Sequence, residues 1–175
     1  MSFLQRLQQF DWEYSQRLSL ADQQGLLRRL AILFAHSGDS WLLLLLLGLT
    51  WLLGPPAWKN LALVMAAGIV LTAILVFAIK LAVRRQRPQG EWGAIYRKTD
   101  PHSFPSGHAA RAFMLAMLAI GLGPAWLAVS VLVWAPLVTL ARVAMGVHYL
   151  SDVVAGMLLG ISVGAAYLWL YTALT

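Results

Sequence analysis

The sequence predicts an all-α protein, a polytopic bundle of membrane helices, and three observations carry that expectation. Of the 175 residues, 60% are hydrophobic and only 11% are charged, against about 45–50% and about 25% in soluble domains. Apolar stretches recur whose length approaches the ~20 residues a helix needs to cross the hydrocarbon. Trp is abundant at eight residues, and Leu42 to Leu47 is an unbroken leucine run. The length suits one membrane-embedded domain over residues 1–175.

Along the chain, residues 1–36 read as an amphipathic, interfacial region. Phe3, Leu4, Leu7, Phe10 and Tyr14 recur at helical spacing among Gln, Arg and Asp, and Leu26 to Phe34 carries Arg28 and Arg29 in its first turn. Such helices lie in the plane of the membrane interface; the alternative is packing on a neighbouring span. The first 20 residues are too polar for the apolar region of a secretory signal. Five spans follow: Trp41–Leu53, extendable backward through Ser37-Gly38-Asp39-Ser40, then Leu61–Leu81, His108–Leu122, Ala125–Ala144 and Val153–Leu174. Gly54-Pro55-Pro56 and Gly121-Leu122-Gly123-Pro124 are tight turns that make their flanking spans antiparallel neighbours. Pro136 sits inside a span and is expected to kink it. Gly156, Gly160 and Gly164 form a stripe that permits close helix approach, within the monomer rather than between copies. The one long connection, Ala82 to Phe104, is polar and basic.

The chain has no cysteine, which excludes disulfides, thiolate chemistry and cysteine metal sites. Its net charge is +6, with many Lys and Arg gathered between Lys80 and Arg142 near apolar segments. That distribution suits a small anionic group held at the membrane boundary and not nucleic acid.

Three polar clusters interrupt the apolar chain, each at the end of a span: Lys80 with Arg87-Pro88, Pro105-Ser106-Gly107-His108, and Arg142 with His148 and Asp152. Helix alternation puts all of these ends on one side of the membrane. The residue types suit phosphoryl transfer, where catalysis is largely positioning and stabilisation of charge on phosphoryl oxygens. Arg87 and Arg142 offer planar forks and Lys80 a compact cation. Ser106 and Gly107 precede a helix, whose N–H groups and dipole can hold an anion. Asp152, four residues after His148, can accept from one imidazole nitrogen and leave the other free to attack. His108 remains as a general acid for the leaving oxygen. Singly, each residue has an ordinary explanation, such as snorkelling, topology or capping; together, their complementary roles on one face point to a site. His108, His148 and Asp152 do not make a metal centre, because Lys80, Arg87 and Arg142 would repel a cation. His36 and His102 read as structural.

These motifs, KLAVRRQRP at Lys80 to Pro88, PSGH at Pro105 to His108 and ARVAMGVHYLSD at Ala141 to Asp152, resemble those of the type 2 phosphatidic acid phosphatase superfamily. That pattern is KxxxxxxRP, PSGH and SRxxxxxHxxxD. The resemblance runs from about residue 60 to about residue 165. It implies a lipid phosphatase with a phosphohistidine intermediate on His148 oriented by Asp152. His108 would be the acid, Lys80, Arg87, Ser106, Gly107 and Arg142 would hold the phosphate, and no metal or other cofactor is needed. Ala141 departs from the pattern, standing where the family usually has Ser. The family usually has six spans, one more than counted here. The superfamily also holds vanadate-dependent haloperoxidases, which are large and soluble; a non-catalytic lipid-binding protein is a further alternative, and it predicts losses among motif residues that are all present.

Arg111 directs the substrate expectation. An arginine inside an apolar span suggests function by default, and three residues after His108 it shares that residue's helix face. There it suits a charged leaving group, so a lipid diphosphate, polyisoprenyl above all, is favoured over phosphatidate or phosphatidylglycerophosphate. Residues Ser103 to Ala112 are also similar to polyisoprenoid diphosphate phosphatases of the superfamily. The alternative is a structural ion pair with Glu91 or Asp100. The resemblance implies an extracytoplasmic site in the cell (inner) membrane. The positive-inside rule points the other way, because Arg6, Arg17, Arg28 and Arg29 join the site face and little beyond Lys59 lies opposite. With the phosphate-binding cations discounted, the extracytoplasmic placement is the expectation.

Overall fold

The computed structural model describes residues 3–89 and 100–174, with the side chains of residues 3–5 and 7 excepted. Seven helices lie within these residues: α1 (Phe3–Arg17), α2 (Leu26–Ser37), α3 (Ser40–Leu53), α4 (Pro56–Val83), α5 (Gly107–Leu122), α6 (Ala125–Ala144) and α7 (Leu150–Leu174). Local chemistry sets several of their ends. Pro56 opens α4 at its first turn, where the missing N–H costs nothing. Arg84 closes it in the left-handed region at φ 51°, with its N–H on the Lys80 carbonyl. Ser106 caps α5, its hydroxyl accepting from the Ala109 N–H.

The helix α5 is the centre of the bundle and touches α4, α6 and α7. Its small residues Ala109, Ala110, Ala112, Ala116 and Ala119 are all buried, as are Met114 and Leu118. The glycine stripe of α7 packs on it within the monomer. A Cβ at Gly156 would lie 2.5 Å from the Ser106 carbonyl oxygen, and one at Gly160 only 2.1 Å from that of Ala110. At the far end Asn60 of α4 donates to Tyr171 of α7 at 2.7 Å, fixing the two helices antiparallel. Large apolar side chains, including Ile74, Phe77, Val129, Val133, Leu158 and Trp169, point outward, as a lipid-facing surface requires.

Three helices, α4, α6 and α7, are long and apolar enough to cross a membrane, and α2 with α3 would make a fourth, bent by 60°. Among the described residues that makes three or four by length and composition; the five spans expected also count α5. At 1.5 Å per residue, the 16 residues of α5 reach about 24 Å, short of a hydrocarbon core of roughly 30 Å. Because its neighbours enclose it, α5 need not match the lipid thickness. Pro136 lies inside α6, which runs without a break from Ala125 to Ala144.

The N-terminal third also differs from expectation. Ala31 and Ala35 of α2 are buried against Ala141, Met145 and Val147, so α2 packs on α6 instead of lying free at the interface. Its leucines Leu26, Leu27, Leu30 and Leu33 remain exposed. In α1 the buried residues are polar, Asp11 and Ser15, while Phe10, Trp12 and Tyr14 are exposed. Outward aromatics suit the headgroup level. The expectations for Phe3, Leu4 and Leu7 lie outside the described side chains.

Candidate active site

The ends of α4, α6 and the starts of α5 and α7 meet at one end of the bundle, around a cavity of about 240 Å³. Lys80, Arg87, Gly107, His108, Arg111, Arg142 and His148 all line it, together with Asp100, Ser40, Ala73, Val76 and Phe77. Seven of the nine residues singled out from the sequence therefore share one cavity. The other two, Asp152 and Ser106, stand behind it.

The buried His148 follows α6 on the connection to α7. Its Nε2 lies 3.2 Å from an Arg87 guanidinium nitrogen, and its Nδ1 is 3.5 Å from Asp152 Oδ2. That second distance is outside hydrogen-bonding range, and contacts of this kind commonly tighten on substrate binding. Burial above all, then Arg87, Arg142 and Lys80, holds the His148 imidazole well below its usual pKa. A shift in that direction favours the neutral ring, the form in which an imidazole nitrogen has a lone pair to attack with.

Arg87 donates from Nε to the Asp100 carbonyl oxygen and from one terminal nitrogen to the Asp100 carboxylate, both at 2.7 Å, and it also donates to the Val147 carbonyl oxygen at 2.9 Å. Lys80 donates to the same carboxylate and, at 2.8 Å, to the His102 carbonyl oxygen. Burial pushes the Asp100 carboxyl up, yet Lys80 and Arg87 hold it below the ordinary value. An anionic oxygen thus already sits between these two cations, the arrangement a phosphate oxygen would need. His102, read as structural, contributes its backbone. Arg142 donates to the Ala35 carbonyl oxygen at 3.3 Å. Ala141 points away from the cavity into the α2 contact.

Ser106 stands behind the cavity: its N–H donates to the Asp152 carbonyl oxygen at 2.9 Å and its hydroxyl accepts from the Ala109 N–H, holding the start of α5 against α7. Gly107 does face the cavity. Arg111 donates to the Gly38 carbonyl oxygen at 2.8 Å. It does not pair with Asp100, which serves Lys80 and Arg87, and Glu91 lies outside the described residues.

Three residues that sequence reasoning passed over support the site. Arg85 donates to Asp152 Oδ1 at 2.7 Å and to Asp11 at 2.6 Å, and stacks 4.1 Å from the centre of the Tyr149 ring. Asp11 in turn accepts from the Ser151 N–H at 2.9 Å. Asp39, at the corner between α2 and α3, accepts from His108 Nε2 at 2.8 Å.

This buried cluster of cations around two imidazoles and a carboxylate can bind a phosphoryl group and transfer it. The sequence model of the PAP2 superfamily matches residues 58–175. The chain belongs to the PAP2 superfamily. Decaprenylphosphoryl-5-phosphoribose phosphatase of Mycobacterium tuberculosis is 37% identical over 151 residues, covering 84% of this chain and 81% of that protein. Lipid A 1-phosphatase of Porphyromonas gingivalis is 32% identical over 117 residues, 65% of this chain and 24% of that larger protein. The crystal structure of a transmembrane PAP2 type phosphatidylglycerolphosphate phosphatase from Bacillus subtilis superposes with a TM-score of 0.76 at 23% identity, covering 97% of this chain and 88% of that one. That last likeness establishes the fold. As a PAP2 member with phosphatase relatives, the protein is an integral-membrane lipid phosphatase.

Proposed function

We propose that this PAP2 protein removes phosphate from a polyisoprenyl-anchored phosphate or diphosphate, without a metal, through a phosphohistidine on His148. The observation that carries the reading is the placement of the buried His148 in the cationic cavity, with Arg87 at 3.2 Å from Nε2 and the Asp152 carboxylate at 3.5 Å from Nδ1. Nε2 attacks phosphorus while Lys80, Arg87, Arg142 and the N–H of Gly107 neutralise the phosphoryl oxygens. The phosphorus–oxygen bond to the lipid breaks, and the leaving oxygen takes a proton from His108. Water then attacks the phosphohistidine, returning its proton to His108 and releasing phosphate. Ser106 serves by locking α5 to α7.

The polyisoprenyl chain is favoured by the decaprenyl lipid in the name of the Mycobacterium tuberculosis relative. The diphosphate preference rests on Arg111, which lines the cavity one turn beyond His108. We place the site on the extracytoplasmic face of the cell membrane, as the family resemblance implies. A panel of lipid monophosphates and diphosphates, assayed with purified protein with and without EDTA and with vanadate, tests the reading. Expected are turnover unaffected by EDTA, inhibition by vanadate, and the highest kcat/KM on a polyisoprenyl substrate. Activity abolished by EDTA and restored by a divalent cation would contradict it.

A further inference from the structure

The corner Ser37–Ser40, where the chain turns 60° between α2 and α3, reaches the cavity although none of the three motifs includes it. Gly38 brings the backbone so close that a Cβ there would lie 2.8 Å from Val138 and 3.1 Å from the His108 ring. The Gly38 carbonyl accepts from Arg111, and Ser37 Oγ accepts from Trp134 Nε1 at 2.9 Å, pinning the corner to α5 and α6. Asp39 then places Oδ1 on His108 Nε2 at 2.8 Å and Oδ2 at 3.2 Å from His36 Nδ1.

We propose that Asp39 is a positioning residue for the leaving-group proton, holding His108 through Nε2 in the orientation and protonated form from which it acts. This inference rests on the reading of His108 as the general acid. Nε2 is committed to Asp39, so Nδ1 is the other proton site of the ring. The charged groups around His108 make the need plain. Arg111 on its own helix and Arg142 on α6 are cations; across the cavity stand Lys80 on α4, Arg87, His148 and the carboxylate of Asp100, itself held by Lys80 and Arg87. Two neighbouring guanidiniums oppose a proton on His108, and the Asp39 carboxylate, steadied by His36 of α2, is the contact that favours it. A proton lost to the leaving oxygen leaves Asp39 ionised, and the water step restores it, so the cycle needs no outside acid.

The test compares two substrates that differ in leaving group. A lipid phosphate expels an alkoxide and needs the proton; p-nitrophenyl phosphate expels a stable phenolate and does not. General acids contribute about 100- to 10,000-fold. Acting through one, Asp39→Asn should lower kcat/KM on the lipid, which reports the steps up to leaving-group departure, about 10- to 100-fold, leave kcat/KM on p-nitrophenyl phosphate within about threefold, and move the basic limb of the lipid kcat/KM profile to lower pH. Asp39→Glu, which keeps a carboxylate, should recover part of the lipid rate. His108→Ala separates the two ideas. If it lowers kcat/KM on both substrates equally, the reading of His108 as the acid fails, since the water step that His108 also serves lies outside kcat/KM. If it spares the aryl ester while Asp39→Asn lowers both equally or neither, the role of Asp39 is overturned and that of His108 stands.

Discussion

At the scale of residues, the proposed nucleophile His148, a buried imidazole among cations, sets an expectation for how activity answers to pH. Burial, then Arg87, Arg142 and Lys80, lowers the pKa of His148. A nucleophile whose pKa is depressed stays neutral as pH falls, so the acid limb of kcat/KM, corrected for substrate ionisation, should lie below the ordinary value of about 6.5. A limb at or above that value would show that His148 is not the group being titrated. Arg111→Gln gives a second check. A charge-assisted contact is worth about 1.5–3 kcal/mol, so diphosphate turnover should fall about 10- to 100-fold with much less effect on monophosphates. Equal losses on both would remove Arg111 from the leaving group. The residues of the three motifs were legible because their types and spacings specify chemistry. Asp39 was legible in principle, as a carboxylate set against an apolar run, but its partner lies 69 residues away, a distance that no local pattern encodes.

Between elements, α1 supplies the cap that α7 lacks. The Leu150 N–H donates to Ser15 Oγ at 2.8 Å and the Ser151 N–H to Asp11 Oδ1 at 2.9 Å, satisfying donors that a helix start leaves open. An anion at that end also complements the helix dipole. Because Asp152 lies in the first turn of α7, the cap fixes the carboxylate behind His148, and Arg85 ties the two acids together. Asp11→Ala should therefore cost about 0.5–2 kcal/mol, seen as a lower melting temperature in detergent, and should reduce kcat more than it changes KM. An unchanged melting temperature and rate would mean that α1 is dispensable to the site. Gly160→Val tests the α5–α7 contact: overpacking of this kind costs typically about 1–3 kcal/mol, and here the obstacle is the Ala110 backbone. The stripe itself was readable as a close-packing signal. The polar face of α1 was not, because an amphipathic pattern does not say whether its polar side meets water or another helix.

On the scale of the whole molecule, alternation of helix direction gathers the chemistry at one end. Counting spans was enough to foresee that Lys80, His108, Arg142 and Asp152 converge, since helices that alternate in direction bring every second end to the same side. The number of spans was less legible, because an apolar stretch such as α5, enclosed by its neighbours, or α2 with α3, bent at a polar corner, is apolar in sequence whether or not it crosses the hydrocarbon. With no native cysteine, topology can be read by labelling Lys59→Cys and Gln89→Cys with an impermeant thiol reagent in intact cells. The extracytoplasmic placement predicts labelling at position 89 and none at 59 until the cells are opened. Whether His148 carries the phosphoryl group can be seen by rapid quenching of the enzyme on a 32P-labelled lipid substrate, followed by peptide mapping. The expected result is an acid-labile, base-stable phosphate on the peptide bearing His148, formed and consumed at rates compatible with kcat and lost in His148→Ala together with turnover; label on another residue, or sustained turnover in His148→Ala, would rule out a phosphohistidine at this position.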